Sequence, residues 1–205
     1  MKKRAYLFGI NEYTKLAPLN FARSDAEAVA GALKKSYGFQ ENEVVLRTCK
    51  GTPSEMPLTA EAVLDTIRWT EEVELLILGF WGHGVVLNGE RYICPITTQI
   101  DNIEGTAVPL SKILETVRQI PAKKVCILLD CCQSRLEKGR PLEETPTFER
   151  GEAERLEQMV GEIFTSRDIQ MRVNASPRRE NTAQPSGQTV AILNACSDGE
   201  RAYEW

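Results

Sequence analysis

Histidine is nearly absent from this chain: His83 is the only one in 205 residues. The six cysteines, Cys49, Cys94, Cys126, Cys131, Cys132 and Cys196, include no Cys-x-x-Cys pair. A mixed Cys/His zinc site would have to draw on scattered ligands, whereas tetrahedral zinc is normally held by closely spaced ones. Adjacent Cys131 and Cys132 are poorly placed to bridge each other, and a cytosolic chain keeps its thiols reduced. No structural zinc and no disulfide framework are expected. Positive charge is also scarce, with 25 Lys and Arg against 29 Asp and Glu and a formal net charge of −4. Binding to phosphate backbones needs a dense basic patch, so no nucleic-acid partner is expected. Long apolar runs are missing too. The stretches around Leu75 to Trp81 and Val125 to Leu129 fall far short of the roughly 20 residues of a helical membrane span. The opening Met1 to Ile10 starts basic, but its apolar run breaks at Asn11-Glu12, too soon for a signal-peptide core. The expectation is a soluble, cytoplasmic protein with no membrane partner.

What is present is an ordinary core composition. Hydrophobic residues make up 42% of the chain and charged residues 26%, which fits one domain over residues 1–205. Short apolar runs alternate with longer segments of helical spacing, the pattern of an α/β fold with a largely parallel sheet. Strands are expected at Arg4 to Ile10, Glu43 to Thr48, Glu74 to Phe80, Lys124 to Leu129 and Thr189 to Leu193. One helix opens at Ser24-Asp25-Ala26-Glu27 and runs to about Tyr37, with Gly38 ending it. A second follows Gly51-Thr52-Pro53 and starts near Thr59, whose hydroxyl can cap it, with Ala62, Val63 and Ile67 facing inward. Val85 to Ile96 reads as a hairpin turning at Asn88-Gly89, and Leu110 to Ile120 as a helix stopped by Pro121. From Arg135 to Gln188 the sequence becomes charged and proline-containing, an inserted and partly mobile segment with one helix near Glu152 to Ser166.

Two sequence features stand at strand ends, where open parallel sheets bind ligands. Trp81-Gly82-His83-Gly84 follows the third strand, and Asp130-Cys131-Cys132 follows the fourth. If those strands are neighbours, their ends lie roughly 5 Å apart, so sequence distance is no obstacle to a Cys-His pair. A cysteine attacks a carbonyl as the thiolate, and a histidine beside it can accept the thiol proton and later return one to a leaving amine. Glycines on both sides of His83 leave room for a peptide. An amide of this glycine-rich stretch, at Gly84, and that of Cys132 can form an oxyanion hole. Strand alternation puts Cys126, Leu128, Asp130 and Cys132 on one side and Cys131 on the other, so only one of the adjacent cysteines can point at His83. Composition leaves open which.

Several segments resemble, in order, those of the caspase-like cysteine peptidases, particularly the metacaspase and bacterial caspase-homologue branch. They are Phe8-Gly9-Ile10-Asn11-Glu12-Tyr13, Leu19-Asn20-Phe21-Ala22-Arg23-Ser24-Asp25-Ala26, Gly82-His83-Gly84, Leu128-Leu129-Asp130-Cys131-Cys132-Gln133-Ser134, and the stretch from Leu193 to Glu204. The resemblance covers most of the chain, and the separation of His83 from Cys132 matches the family's interval of about 50 residues. It implies a three-layer α/β sandwich with a mainly parallel central sheet. It also implies an endopeptidase with His83 as acid/base and Cys132, rather than Cys131, as nucleophile. Asp25 and Asp130 align with acidic residues of the metacaspase substrate pocket, and two carboxylates favour a cation, which means cleavage after Arg or Lys.

The chain departs from the family pattern in places. Gln133 stands where the family has histidine and Arg135 where it has glycine. Glu90, Asp101 and Glu104 are sparse material for the calcium site of many metacaspases, which needs several oxygen ligands, so no cofactor is expected. The family continues beyond the position of Trp205, which suggests a truncated form. Arg178-Arg179 in the inserted segment is a self-cleavage site if the pocket prefers basic residues. The competing reading is a catalytically silent caspase-like module in a signalling or defence assembly. Expected partners are a protein or peptide substrate, with a regulatory protein or a second copy as further candidates.

Overall fold

The computed structural model describes residues 1–49, 57–135 and 187–194. Among them, seven strands form one sheet. Strands β1 (Lys3–Ile10), β2 (Val44–Cys49), β3 (Val73–Leu87), β6 (Ala122–Arg135) and β7 (Thr189–Asn194) pair in the order β2-β1-β3-β6-β7, every neighbouring pair parallel. Strands β4 (Glu90–Ile93) and β5 (Val108–Pro109) add antiparallel pairs beyond the end of β1. The helices are α1 (Ala22–Ser36), α2 (Ala60–Arg68), the short α3 (Ile103–Thr106) and α4 (Leu110–Arg118).

Successive strand residues point to opposite faces, and both faces are covered. On one, Ala5, Leu7, Ile77, Cys126 and Leu128 pack against Ala22, Ala26, Val29 and Leu33 of α1. On the other, Phe8, Leu78, Phe80, Val125 and Ile127 pack against Val63 and Ile67 of α2 and Ile113 and Val117 of α4. This is the three-layer α/β sandwich that the family resemblance implies, built on the α/β pattern of the sequence. Cover on both sides is why the central strands read as unbroken apolar runs rather than alternating ones.

Two strands run further than their apolar patterns. The third was expected to end at Phe80 and the fourth at Leu129, yet β3 continues through Trp81-Gly82-His83-Gly84 to Leu87 and β6 through Cys132 to Arg135. The cause is backbone pairing rather than side-chain preference. Val85, Val86 and Leu87 pair with β4 on one edge, and the register with β6 continues on the other up to Val86 opposite Arg135. The hairpin turn falls where expected, at Asn88 and Gly89, whose φ values of 53° and 80° are those of a type I′ turn.

Helix α1 starts two residues before the expected Ser24, and its N-cap residue Phe21 supplies no side-chain cap. The cap comes from outside: Asn11 Oδ1, just past β1, accepts a hydrogen bond from the Arg23 amide at 2.8 Å. Asn11 Nδ2 donates to Asn20 O at 2.8 Å, which closes the loop between strand and helix. The helix also sits very close to the strand. A Cβ on Gly9 would stand 2.7 Å from Ala22 O and 2.8 Å from Ala26 Cβ, so glycine is what permits the approach. At the other end Gly38 has φ +65°, and Lys3 Nζ donates to Tyr37 O and Gly38 O at 2.9 and 2.8 Å. Thr59 caps α2 as expected, its hydroxyl accepting from Ala62 N. Val63 and Ile67 are buried, while Ala62 is only half-buried.

No helix among the described residues is long and apolar enough to cross a membrane. Gly51-Thr52-Pro53, the helix expected at Glu152 to Ser166, and most of the inserted segment, including Arg178 and Arg179, lie outside the described residues.

Candidate active site

The two sequence features at the strand ends meet in the sheet. Strands β3 and β6 are direct neighbours, and their register sets Trp81 opposite Asp130, Gly82 opposite Cys131 and His83 opposite Cys132. His83 and Cys132 therefore occupy the same level of adjacent parallel strands, on strand extensions rather than on loops. Cys131 is buried in the cluster on the α2 and α4 side, with Phe80 and Leu129. Trp81, two residues before His83, belongs to the α1 side. By alternation His83 is on that side as well, so Cys131 faces away from it.

The imidazole is held tightly. His83 is only 9% exposed, and its Nε2 lies 2.9 Å from Ala17 O. A carbonyl oxygen only accepts, so Nε2 carries the proton and Nδ1 is the basic nitrogen of the neutral ring. The ring of Tyr13 lies against the imidazole, with centroids 4.8 Å apart and planes at 53°. The His83 amide donates to Tyr13 Oη at 2.8 Å, and its carbonyl accepts from Cys94 N at 2.9 Å. Gly82 makes this possible: a Cβ there would stand 2.5 Å from Tyr13 Oη.

The carboxylates assigned to substrate binding stand on two elements. Asp25 lies in the first turn of α1 and is half-buried. That turn is held against Gly9, which is opposite Trp81 in the register, and Trp81 is in turn opposite Asp130. Asp130, also half-buried, is on the α1 side by alternation from Cys126 and Leu128. Asp130 is thus opposite Trp81, one level below His83 and Cys132, and Asp25 lies in the helix turn that packs on Gly9. The Trp81 ring is fully buried, and its Nε1 has no hydrogen-bond partner among the described residues. Gly84 follows His83 and is opposite Gln133 on β6 and Ile93 on β4.

The other described thiols are of a different kind. Cys94 and Cys126 are buried, and desolvation pushes both thiols up to about 12, which leaves them protonated and unreactive at neutral pH. Among the described residues no three His, Cys, Asp or Glu side chains gather as a metal site. Glu90 is engaged by the Ser111 amide at 3.1 Å.

Two groups around His83, and Asn11 in the loop that carries them, had no role in the sequence reading. Tyr13 stands in the quoted opening segment, but nothing in its spacing points to His83. Ala17 acts through its backbone, which leaves no sequence signal. Asn11 is polar just after a strand, a weak hint of a cap whose acceptor position only the fold reveals.

A mainly parallel sheet between two helical layers, with a histidine and a cysteine on neighbouring central strands, defines a three-layer α/β domain. A family model described as the caspase domain matches residues 2–204, and the chain belongs to that family of cysteine peptidases. No curated protein matches it. Among solved structures it is similar to protein GSU0716 from Geobacter sulfurreducens at 17% identity and a TM-score of 0.45, over 66% of this chain and 52% of that one. The chain therefore spans about half the length of that protein.

Proposed function

We propose that this chain is a cysteine endopeptidase that cuts after Arg or Lys, with Cys132 as nucleophile and His83 as acid/base. The observation that carries the reading is the register of His83 opposite Cys132, on a face from which Cys131 is turned away. The Nε2 contact with Ala17 O supports the role of His83, because it reserves Nδ1 for the thiol proton.

The reaction is an acyl transfer in two halves. Nδ1 takes the thiol proton, the Cys132 thiolate adds to the scissile carbonyl, and the resulting oxyanion is held by backbone amides, for which we assign Cys132 and Gly84. Collapse of the tetrahedral intermediate breaks the C–N bond, and the imidazolium gives its proton to the leaving amine. Water then adds to the thioester with His83 as base, and the carboxylic acid product leaves while the thiol is restored. One condition attaches to Gly84. Both backbone groups of His83 face the β1 and β4 edge, so the next amide faces β6, and β3 and β6 must part slightly for it to reach a substrate.

Specificity rests on Asp25 and Asp130, two half-buried carboxylates, one in the first turn of α1 and one opposite Trp81 on β6. A side chain entering between them meets negative charge from both directions, which favours guanidinium or ammonium and rejects carboxylate. The same preference supports self-cleavage at Arg178 or Arg179.

The test is turnover of fluorogenic peptides ending in Arg, Lys or Asp by the wild-type chain and by Cys132→Ala, Cys131→Ala and His83→Ala, with mass spectrometry of the purified chains. Expected are cleavage of Arg and Lys peptides only, activity kept in Cys131→Ala, loss in the other two variants, and a self-cut at Arg178 or Arg179 that Cys132→Ala lacks. A folded wild-type chain without turnover would favour the silent interaction module. An intact chain that still cleaves Arg peptides would remove self-processing alone.

A further inference from the structure

Among the described residues, one edge of β3 passes from β1 to β4 with a break between the two neighbours. Pairing with β1 ends at Gly9 opposite Trp81, and pairing with β4 begins at Gly84 opposite Ile93. His83 falls in that gap. Backbone groups alternate between the two edges of a strand, and those of His83 face this one, as its carbonyl shows by accepting from Cys94 N. Its amide would find no strand carbonyl there. Tyr13 Oη takes the carbonyl's place, accepting at 2.8 Å.

The same side chain controls more than the backbone. Its ring leans on the imidazole at 4.8 Å, and four residues later in the same loop Ala17 O holds Nε2. The loop is itself fixed, since the Thr14 amide and hydroxyl both donate to Ile96 O, at 3.0 and 3.1 Å. Tyr13 is also packed against all three hydrophobic clusters of the described residues. Its position is thus set by packing from several directions, and it transmits that position to His83 through a hydrogen bond and a ring contact. Gly82 leaves the space that the hydroxyl needs.

We infer that Tyr13 is the positioning residue of His83: it holds the backbone and the ring plane so that Nε2 stays on Ala17 O and Nδ1 is presented to the Cys132 position. Its catalytic consequence rests on the Cys132–His83 reading, whereas its effect on the imidazole does not. In this scheme Tyr13 acts through His83.

Because His83 is the only histidine, nitrogen-15 NMR of histidine-labelled protein reads its tautomer without ambiguity. The wild-type chain should show the Nε2–H form in clear excess. Tyr13→Phe keeps the ring but removes the acceptor, and Tyr13→Leu removes both. The expected result is a rising share of the Nδ1–H form from wild type to Phe to Leu. On Arg peptides, kcat should fall about tenfold in Tyr13→Phe while KM stays within about twofold, because the presentation of His83 in the chemical step is weakened and substrate binding is not. Gly82→Ala, which crowds the hydroxyl, should resemble Tyr13→Phe. A merely structural tyrosine would lower the melting temperature and leave the tautomer ratio alone. If Tyr13→Leu does not fold, Tyr13→Phe decides by itself. A wild-type tautomer ratio in folded Tyr13→Phe overturns the inference. If His83→Ala or Cys132→Ala retains full turnover, the dyad reading fails instead, and the tautomer ratio still decides the role of Tyr13.

Discussion

Asn11 offers the sharpest test of how the site is assembled, because one amide side chain closes the loop between β1 and α1. Its Oδ1 caps the helix at the Arg23 amide, and its Nδ2 holds Asn20 O, both at 2.8 Å. Replacing an N-cap Asn by Ala costs about 1 kcal/mol, and a partly exposed hydrogen bond adds about 0.5–1 kcal/mol. Asn11→Ala should therefore lose about 1.5–2 kcal/mol. For a chain of this size each kcal/mol moves the melting temperature by about 2–4 °C, so thermal unfolding followed by circular dichroism should show a drop of about 3–8 °C. Asn11→Asp separates the two bonds. It keeps an oxygen at the helix N-terminus, where a negative charge contributes a further 0.3–1 kcal/mol or so, and it loses only the donor to Asn20. It should melt within a few degrees of wild type, on the order of 1 kcal/mol at most. The loop that Asn11 closes carries Tyr13 and Ala17, and the helix it caps carries Asp25, so Asn11→Ala should also raise KM for Arg peptides. Equal melting of Asn11→Ala and wild type, or an Asp variant as unstable as the Ala one, would refute the cap.

Two further outcomes follow from packing and burial. Gly9→Ala should lower the urea midpoint by the equivalent of about 1–3 kcal/mol, since the new Cβ meets helix backbone at Ala22 O and Arg23 Cα. In the same helix Gly31→Ala should raise it by about 0.5–1 kcal/mol, because a Cβ there meets nothing within 4 Å. The pH dependence should reflect Cys94 and Cys126, whose thiols burial pushes from 9.0 to about 12. Folding favours their protonated forms, so this contribution is complete below pH 9 and is lost as pH rises towards 12. Urea midpoints should be flat from about pH 7 to 8.5 and lower at about pH 10. The fall should be shallower in the Cys94→Ala, Cys126→Ala double variant, and identical slopes would argue against buried neutral thiols.

Strand placement was legible because both faces of the sheet are covered. Leu75 to Phe80 and Val125 to Leu129 are apolar at every step, and such runs are characteristic of a central parallel sheet. The Asn88-Gly89 turn was legible from local chemistry, since both residues take positive φ there. The ends of β3 and β6 were not, because Trp81 to Gly84 and Asp130 to Ser134 carry no strand pattern. They are extended because each supplies the other's hydrogen-bond partners. The start of α1 was misplaced for a similar reason. Its cap is Asn11, which stands outside the window that a helix signal occupies.

From residue order alone it follows that a lone histidine and a cysteine pair stand after two apolar strands of an α/β chain, and that scattered thiols and one imidazole make a poor zinc site. It left Cys131 and Cys132 open until a family resemblance was considered. It took the folded sheet to make β3 and β6 neighbours with His83 opposite Cys132, and to bury Cys131 on the other face. The fold likewise brings Tyr13 and Ala17 against the imidazole. The reason is physical. Periodicity reports which residues of one segment share a face, whereas register, edge gaps and contacts between distant segments arise when separate strands and loops find one another.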